Sequence, residues 1–536
     1  MSHAHGLPHN FLPLSHLLPA GAAGIFSPAM EAVVEAPLCV PPDEPAVLLS
    51  DIREFAAGGS SYVFVVDVTA VFALDGLSRD ILHYLRPGKS APAPATEGRQ
   101  AAGAGYVLLK DIFCAFEGTH DRQQIGEALR ELRSIRAIRF SGFPGEEWKT
   151  PQRQLPPAPF PQRSLVLNVA NDCNLGCSYC FAAQGDYGTP KRMMQEETAR
   201  SSVDFLLANS ADQKNVTLVF FGGEPLMNLG LIRRVVAYAG EASAKAGKHV
   251  DFTMTTNATG LTTEVIDFLS ENRIGVSVSI DGPKEYNDLR RTYKNGMGSY
   301  DHVRPRILEL LHRHKTRPVA ARATLTHGIT AVEECFWHLL DMGFHEVGFA
   351  PVTSSAQEDF ALTSEELWTV LEAFRKLSDI YVERALKNES FGFSNLSNLL
   401  GELHTGISKN YPCGAGLGLL GVGADGDLYL CHRFSESPAH RMGSVQEGLD
   451  VARQTDFLSR AHLSNKPHCG TCWVRHVCAG GCYHEANTHY GSLYHANAHY
   501  CEWIRSWIDL GLHAYARIME SNPDFFPQFI EKRGAV

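Results

Sequence analysis

Six apolar runs rich in β-branched side chains fall at residues 164–171, 216–221, 250–256, 274–280, 319–325 and 346–352, with helically spaced stretches between them. Short runs of this kind read as strands. Strands that alternate with helices predict an α/β domain built on a parallel sheet. Upstream, residues 62–68 and 70–74 predict a β-hairpin, and residues 78–85 a helix after it. Residues 121–133 place Ile125, Leu129 and Leu132 at the spacing of an amphipathic helix. Downstream, residues 364–389 predict a long amphipathic helix that opens at a capping-box-like Ser364.

Punctuation divides these patterns into domains. Residues 1–45, rich in Pro, Ala and His, predict an irregular arm; residues 46–150, broken by a Pro/Ala/Gly-rich interruption at 86–105, form a small unit. Pro151, Pro156, Pro157, Pro159 and Pro161 mark a linker before a catalytic domain at 163–360. A bridging helical region follows at 361–409, then a cysteine-rich domain at 410–505 and a C-terminal helix or tail at 506–536. At 536 residues and 44% hydrophobic, the chain is long enough for more than one core.

The formal charge of −11, from 48 basic and 59 acidic residues, argues against nucleic acid as a general partner. No apolar stretch of membrane-spanning length and no signal-peptide pattern occurs, so the expectation is a cytoplasmic protein without a membrane partner. In that compartment thirteen cysteines read as metal ligands or catalytic groups rather than disulfides. Ten of them fall into motifs; Cys39, Cys114 and Cys335 do not, and Cys335 reads as a small buried residue on a helix.

The first motif is Cys173-x₃-Cys177-x₂-Cys180, flanked by Tyr179 and Phe181, directly after the first apolar run. A four-iron cluster takes four thiolates. Three leave one iron free for a small molecule that chelates through an amine and a carboxylate. Loops at the C-terminal ends of strands are where α/β enzymes place their chemistry.

Polar groups suited to a ligand end the later strands as well. In Gly222-Gly223-Glu224-Pro225 the glycines permit close backbone approach, and the carboxylate accepts from an ammonium group. Thr256 and Asn257 end the third run; Ser279 and Asp281, after the fourth, suit a ribose. Arg322 in the fifth suits a carboxylate, with Arg291 a second candidate. Singly these are weak, since a Ser or Asp after a strand is usually a helix cap.

A second set of cysteines comprises Cys413, Cys431 (with four residues between it and Gly426), Cys469-x₂-Cys472-x₅-Cys478-x₃-Cys482, and Cys501. C-x₂-C pairs also build zinc ribbons, so zinc stays open here. His484, His489, His495 and His499 lie close by in sequence, as surface or outer residues or as a histidine metal site.

The first cysteine motif, its leading strand and its aromatic flank resemble the radical S-adenosylmethionine (SAM) superfamily. That resemblance implies a partial (β/α)₆ barrel and a [4Fe–4S] cluster on Cys173, Cys177 and Cys180. It also implies SAM held by Tyr179, Gly222, Gly223, Glu224, Pro225, Thr256, Asn257, Ser279, Asp281, Arg291 and Arg322, and cleaved to a 5′-deoxyadenosyl radical. The later cysteines resemble the SPASM extension of peptide-modifying members, which implies two auxiliary [4Fe–4S] clusters and three in all. Cys469, Cys472, Cys478 and Cys501 would hold one, and Cys413, Cys431 and Cys482 the other.

Seven cysteines leave one of eight ligand positions unfilled, to be taken by a substrate thiolate or by a side chain such as Glu402 or His404. The small N-terminal unit resembles a winged-helix-like peptide-recognition domain, which would bind a leader segment as an added strand; the alternative is a structural cap on the barrel.

Together these imply an α/β fold with an N-terminal winged-helix-like domain, a radical-SAM barrel and a C-terminal Fe–S SPASM domain. The whole resembles thioether-forming peptide maturases. Segments 172–187, 431–434 and 479–485 are most similar to the branch that matures the small subunit of quinohemoprotein amine dehydrogenase, linking cysteine sulfur to Asp or Glu methylene carbon. The six-cysteine (SCIFF) peptide maturases are the other branch. A flavodoxin- or ferredoxin-like protein would supply electrons. Two other classes stay open: a formylglycine-forming anaerobic sulfatase maturase, and a non-catalytic zinc or iron–sulfur protein that recruits peptides.

Overall fold

The computed structural model describes residues 46–86, 106–140, 160–354 and 360–530. The expected N-terminal arm, Cys39 and most of the proline-rich linker lie outside them. Two antiparallel sheets form the N-terminal unit. In one, β1 (Ala46–Leu49) runs between β5 (Tyr106–Leu108) and β6 (Ile138–Phe140); the other is a meander of β2 (Ile52–Ala57), β3 (Ser60–Val65) and β4 (Ala70–Leu74).

The expected hairpin is β3–β4, and the helix after it is Gly76–Tyr84. β2 was not foreseen, because its sequence IREFAA is too polar to show a strand period. Its signal is the Gly58-Gly59 pair between Ala57 and Ser60, both at positive φ, the chemistry of a two-residue hairpin turn. The helix Arg122–Ser134 starts where the sequence predicts, on an Asp121 capping box with Gln124, and buries Ile125, Leu129 and Leu132.

The six central runs all become strands of one sheet: β7 (Ser164–Asn171), β9 (Asn215–Gly222), β10 (His249–Thr256), β11 (Gly275–Ser279), β12 (Val319–Leu325) and β13 (Glu346–Pro351), with the short β8 (Arg192–Met193) paired antiparallel to β7. β7 through β13 run parallel in the order β7-β9-β10-β11-β12-β13. Burial alternates along β9, β10, β11 and β12, as in Val319, Ala321, Ala323 and Leu325 of β12, which pack under the helices while Ala320, Arg322 and Thr324 face the other way. This is the α/β barrel arrangement the periodicity predicts.

The cysteine-rich region adds a strand to that sheet. β14 (Leu419–Val422) pairs parallel to β7, and β15 (Asp427–Tyr429), β16 (Arg441–Ser444) and β17 (Gly448–Leu449) continue it antiparallel. The second set of cysteines is thereby fixed to the strand that carries the first.

The long helix is Ser364–Ala385, and its cap is Thr363 rather than Ser364. Thr363 accepts from the Glu366 amide at 3.2 Å while the Glu366 carboxylate accepts from the Thr363 amide at 2.8 Å. A second helix, Ser394–Thr405, completes the bridge. The final helix, Cys501–Ser521, begins at the last motif cysteine, so the expected boundary near 505 falls inside it.

The N-terminal unit docks on these C-terminal elements. Arg475 donates to Asp51 and Asp67 at 2.7 and 2.6 Å, Arg53 pairs with Asp509 at 2.7 Å, and the Arg53 guanidinium lies 4.4 Å from the Trp473 ring centroid. Among the described residues no helix is long and apolar enough to cross a membrane.

Candidate active site

The loop after β7 is shaped by hydrogen bonds to the segment that follows β11. The Gly176 amide donates to the Thr292 carbonyl at 2.8 Å, and the Ser178 amide to Arg290 at 3.1 Å. Two donors point at one sulfur: the Leu175 amide and the Asn257 side-chain amide lie 3.4 and 3.5 Å from Cys173 Sγ. Gly185, at φ +100°, must be glycine, since a Cβ would sit 2.4 Å from that of Cys173.

Burial, reinforced by Glu224, pushes the Cys173 thiol up to about 12; burial also raises Cys177, against the pull of Arg291. Free thiols in such a setting are poor nucleophiles. A bound metal would deprotonate such thiols.

Gly222 and Gly223 meet a close backbone at the end of β7 and the start of the cysteine loop. A Cβ on Gly222 would lie 2.4 Å from the Ala170 carbonyl oxygen, and one on Gly223 would lie 2.1 Å from that of Asp172. The Gly223 and Glu224 amides donate to these same carbonyls at 2.8 and 2.9 Å. Glu224 is buried and accepts from Thr256 Oγ1 (2.7 Å), the Leu226 amide (3.1 Å) and the Asn257 amide (2.7 Å). Burial raises its pKa, and those donors oppose the rise. Pro225 starts the short turn that aims the carboxylate. Glu224, Thr256, Asn257 and Cys173 thus form one connected group.

A second group surrounds Cys177. Tyr179 donates to Asp281 Oδ2 at 2.7 Å and accepts from Arg291 Nη1 at 2.8 Å. Asp281 Oδ1 accepts from the Thr324 amide at 2.9 Å. Asp281 is fully buried, so its carboxylate sits under Tyr179 rather than open to a ribose. Burial raises the Asp281 pKa, and Arg291 counteracts it most.

Ser279 and Arg322 are register partners on β11 and β12. Arg322 is surrounded by protein yet accessible to solvent, which places it in the hollow of the barrel. Burial lowers its pKa, Arg433 adds repulsion, and no carboxylate lies within ion-pair distance among the described residues. A cation so placed fits an anionic group entering the barrel.

The later cysteines fall into two electrostatically interacting groups. Cys469, Cys472, Cys478 and Cys501 interact electrostatically with one another, as do Cys413, Cys431 and Cys482. Burial is the main cause of the raised pKa values of Cys413, Cys431, Cys469, Cys478 and Cys501, to about 12 at Cys431 and about 11 at Cys478. Among the described residues no three His, Cys, Asp or Glu converge closely enough for a single metal ion. Glu402 is engaged by Lys409 at 2.6 Å, and His404 stacks on Phe526 at 4.5 Å. His489 and His499 stack at 4.2 Å beside Tyr490 and His495.

Between the first loop and the three-cysteine set lie His432 and Arg433, to which the sequence gave no role, and His484, expected as a surface, outer or metal-site residue. Phe181 packs against His432 (6.1 Å) and His484 (5.9 Å), and the Arg433 guanidinium lies 5.0 Å from the Phe181 centroid. Arg433 also approaches Cys482 Sγ at 4.0 Å and Glu485 at 3.9 Å. Burial, then the charge of Arg433, pushes His432 down to about 4, and burial with the same charge pushes His484 to about 3. Both imidazoles are neutral walls. The available signal was Cys431-His432-Arg433-Phe434, whose meaning depends on a contact 250 residues away in sequence.

Residues 167–342 match the model of the radical SAM superfamily. The chain is 26% identical over 362 residues to the serine-type anaerobic sulfatase-maturating enzyme of Bacteroides thetaiotaomicron, covering 61% of this chain and 84% of that one. It is 23% identical over 363 residues to the radical SAM cyclopropyl synthase TigE of Paramaledivibacter caminithermalis, covering 63% and 72%. Its fold is shared with native anSMEcpe bound to AdoMet and the Kp18Cys peptide, at a TM-score of 0.57 and 22% identity over 68% of this chain and all of that one. The cysteine loop, the strand order and these likenesses agree: the chain carries the α/β radical SAM fold, and residues 167–342 are similar to the radical SAM superfamily.

Proposed function

We propose that this chain is a peptide maturase that joins a cysteine sulfur to an Asp or Glu methylene carbon in a small protein, the small subunit of quinohemoprotein amine dehydrogenase being the substrate that motif likeness favours. The observation that carries the proposal is the three-cysteine set. Cys413, Cys431 and Cys482 meet without a fourth cysteine, and Glu402 and His404 are held elsewhere. Cys413 is solvent-accessible from within the protein, so a substrate thiol can reach the place a fourth ligand would take.

Three [4Fe–4S] clusters and SAM would serve this chemistry; when bound and reduced, the first cluster with SAM supplies a 5′-deoxyadenosyl radical that removes a hydrogen atom. The residues present fit that load. Cys173, Cys177 and Cys180 would hold the first cluster, with donors already aimed at Cys173. Glu224, held by Thr256 and Asn257, would take the ammonium of SAM, and Arg322 its carboxylate. Asp281 and Arg291 would steady Tyr179 against Cys177. Phe181, His432 and His484 exclude water between the radical and the substrate sulfur.

Each link would break one C–H and one S–H bond and form one C–S bond: one hydrogen would be taken as an atom, and the other lost as a proton with an electron that clusters on the two later cysteine sets would accept. A flavodoxin- or ferredoxin-like protein would deliver the electron that cleaves SAM. The N-terminal unit would bind the leader along a sheet edge, β2 or β4 in one sheet and β5 or β6 in the other.

Formylglycine formation is the second reading, favoured by the likeness to a sulfatase-maturating enzyme. One experiment separates the two. The unlinked small subunit is incubated with anaerobically reconstituted enzyme, SAM and dithionite, then alkylated and analysed by mass spectrometry. The thioether reading predicts a two-hydrogen loss together with loss of an alkylatable thiol, and no aldehyde. An aldehyde-reactive product would establish formylglycine formation instead. Cys177→Ala should abolish 5′-deoxyadenosine release; full release by that variant would sink both readings.

A further inference from the structure

One buried cation is not used by anything described so far. Lys466 is only 3% exposed. Its ammonium donates to the Ala479 carbonyl at 3.0 Å and lies 5.0 Å from the Tyr483 ring centroid. Among the described residues no carboxylate lies within ion-pair distance of it. Ala479 belongs to the tripeptide that separates Cys478, of the four-cysteine set, from Cys482, of the three-cysteine set.

The next residue has been kept small to admit the lysine. Gly480 is at φ +87°, and a Cβ there would lie 2.5 Å from Lys466 Cδ and 2.8 Å from Nζ. The packing therefore commits the side chain to one path, ending at the tripeptide that joins the two sets. Cys469 and Cys478 of one set, and Cys413 and Cys482 of the other, are the groups whose negative charge favours the ammonium, against burial that disfavours it.

A buried ammonium with one carbonyl acceptor is costly unless an opposite charge compensates it. Neutral thiols do not compensate it. Thiolates around an iron–sulfur cluster do, because a four-iron cluster with its thiolates carries net negative charge that grows on reduction. Cluster potentials are set by net charge, hydrogen bonding and exposure. A fixed positive charge nearby stabilises the reduced form and raises the potential; one shared by two clusters raises both.

We propose that Lys466 is the common counter-charge of the two auxiliary clusters, holding both reduction potentials up so that the electron released by each bond-forming step is accepted and passed between them. This rests on the reading that both cysteine sets hold clusters. Lys466 acts as a positioning charge: it touches neither substrate nor SAM, and the electron it favours comes from the substrate carbon.

The test compares the holoenzyme with Lys466→Gln and Lys466→Arg, each reconstituted without oxygen, by iron and sulfide analysis and then by EPR-monitored redox titration. With iron content equal to wild type, Lys466→Gln should shift both auxiliary midpoint potentials downward by at least a tenfold change in the reduction equilibrium, about 59 mV for a one-electron couple. Lys466→Arg should stay close to wild type, and the first cluster should not move.

Loss of iron in Lys466→Gln but not in Lys466→Arg would also support the proposal, since charge and not size would then decide assembly. Unshifted potentials in a fully loaded Lys466→Gln would overturn it. Equal loss of iron in both variants would overturn it too, making the lysine a packing residue. If wild type itself holds only about four irons, the cluster assignment fails first, and that result is distinct from the others.

Discussion

At the residue scale, the glycines of the Gly-Gly-Glu-Pro motif serve the site indirectly. They let β9 close against the loop after β7, and Glu224 then inherits its position from that contact. Gly223→Ala would force a Cβ to within 2.1 Å of the Asp172 carbonyl oxygen, next to Cys173. The cheapest relief is displacement of the cysteine loop. Iron analysis of the reconstituted variant should therefore show about four irons lost, with the auxiliary complement retained; an unchanged iron count with full SAM cleavage would contradict the contact.

Much of this group was legible in the sequence. Cys173, Cys177 and Cys180 have a spacing that local chemistry explains, and Glu224, Thr256 and Asn257 sit where strands end. What was not legible is which groups face each other. Asp281 reads as an open carboxylate until its burial beneath Tyr179 is seen, and Lys466 carries no motif at all. Its role depends on Gly480, fourteen residues on, leaving room for it.

At the element scale, the capping box of the helix Ser364–Ala385 makes a pH-dependent contribution. Burial works against the Glu366 charge, but hydrogen bonds from His327, the Gly328 amide and Thr363 outweigh it and bring the carboxyl down to about 2 from an ordinary 4.5. A depressed folded pKa stabilises the protein above about 4.5, and the contribution is lost as pH falls through about 2. Glu366→Gln should therefore melt below wild type near neutral pH, and the difference should close as the pH is lowered toward 2. A constant difference across that range would show that the charge is not involved. Thr363→Ala should cost about 1 kcal/mol, measured by denaturant unfolding.

The six parallel strands were legible because each is an apolar run with its own period. β14 was not. Four residues, Leu-Leu-Gly-Val, specify no sheet by themselves, and their parallel pairing to β7 is set by long-range register. Gly421 adds to this, since a Cβ there would lie 2.7 Å from the Cys431 carbonyl carbon and the His432 amide nitrogen. That strand is what brings the three-cysteine set to the barrel.

At the scale of the whole molecule, the N-terminal unit is anchored to the cysteine-rich domain and the final helix. Arg475 is nearly buried and holds both Asp51 and Asp67. Truncating it removes the guanidinium that ties both carboxylates to the cysteine-rich domain. Arg475→Ala should raise hydrogen exchange in β2–β4 by about tenfold or more while leaving β7–β13 protected; unchanged exchange would show that packing of Phe64 against Trp473 suffices.

The account depends most on the metal content that ten motif cysteines imply. Iron, acid-labile sulfide and zinc per chain, measured on protein purified and reconstituted without oxygen, test it most directly. About twelve irons with matching sulfide and no zinc is the predicted result, one cluster for each of the three cysteine sets. About four irons together with zinc would contradict it, leaving a radical SAM barrel on a structural C-terminal domain and removing the basis for the thioether chemistry.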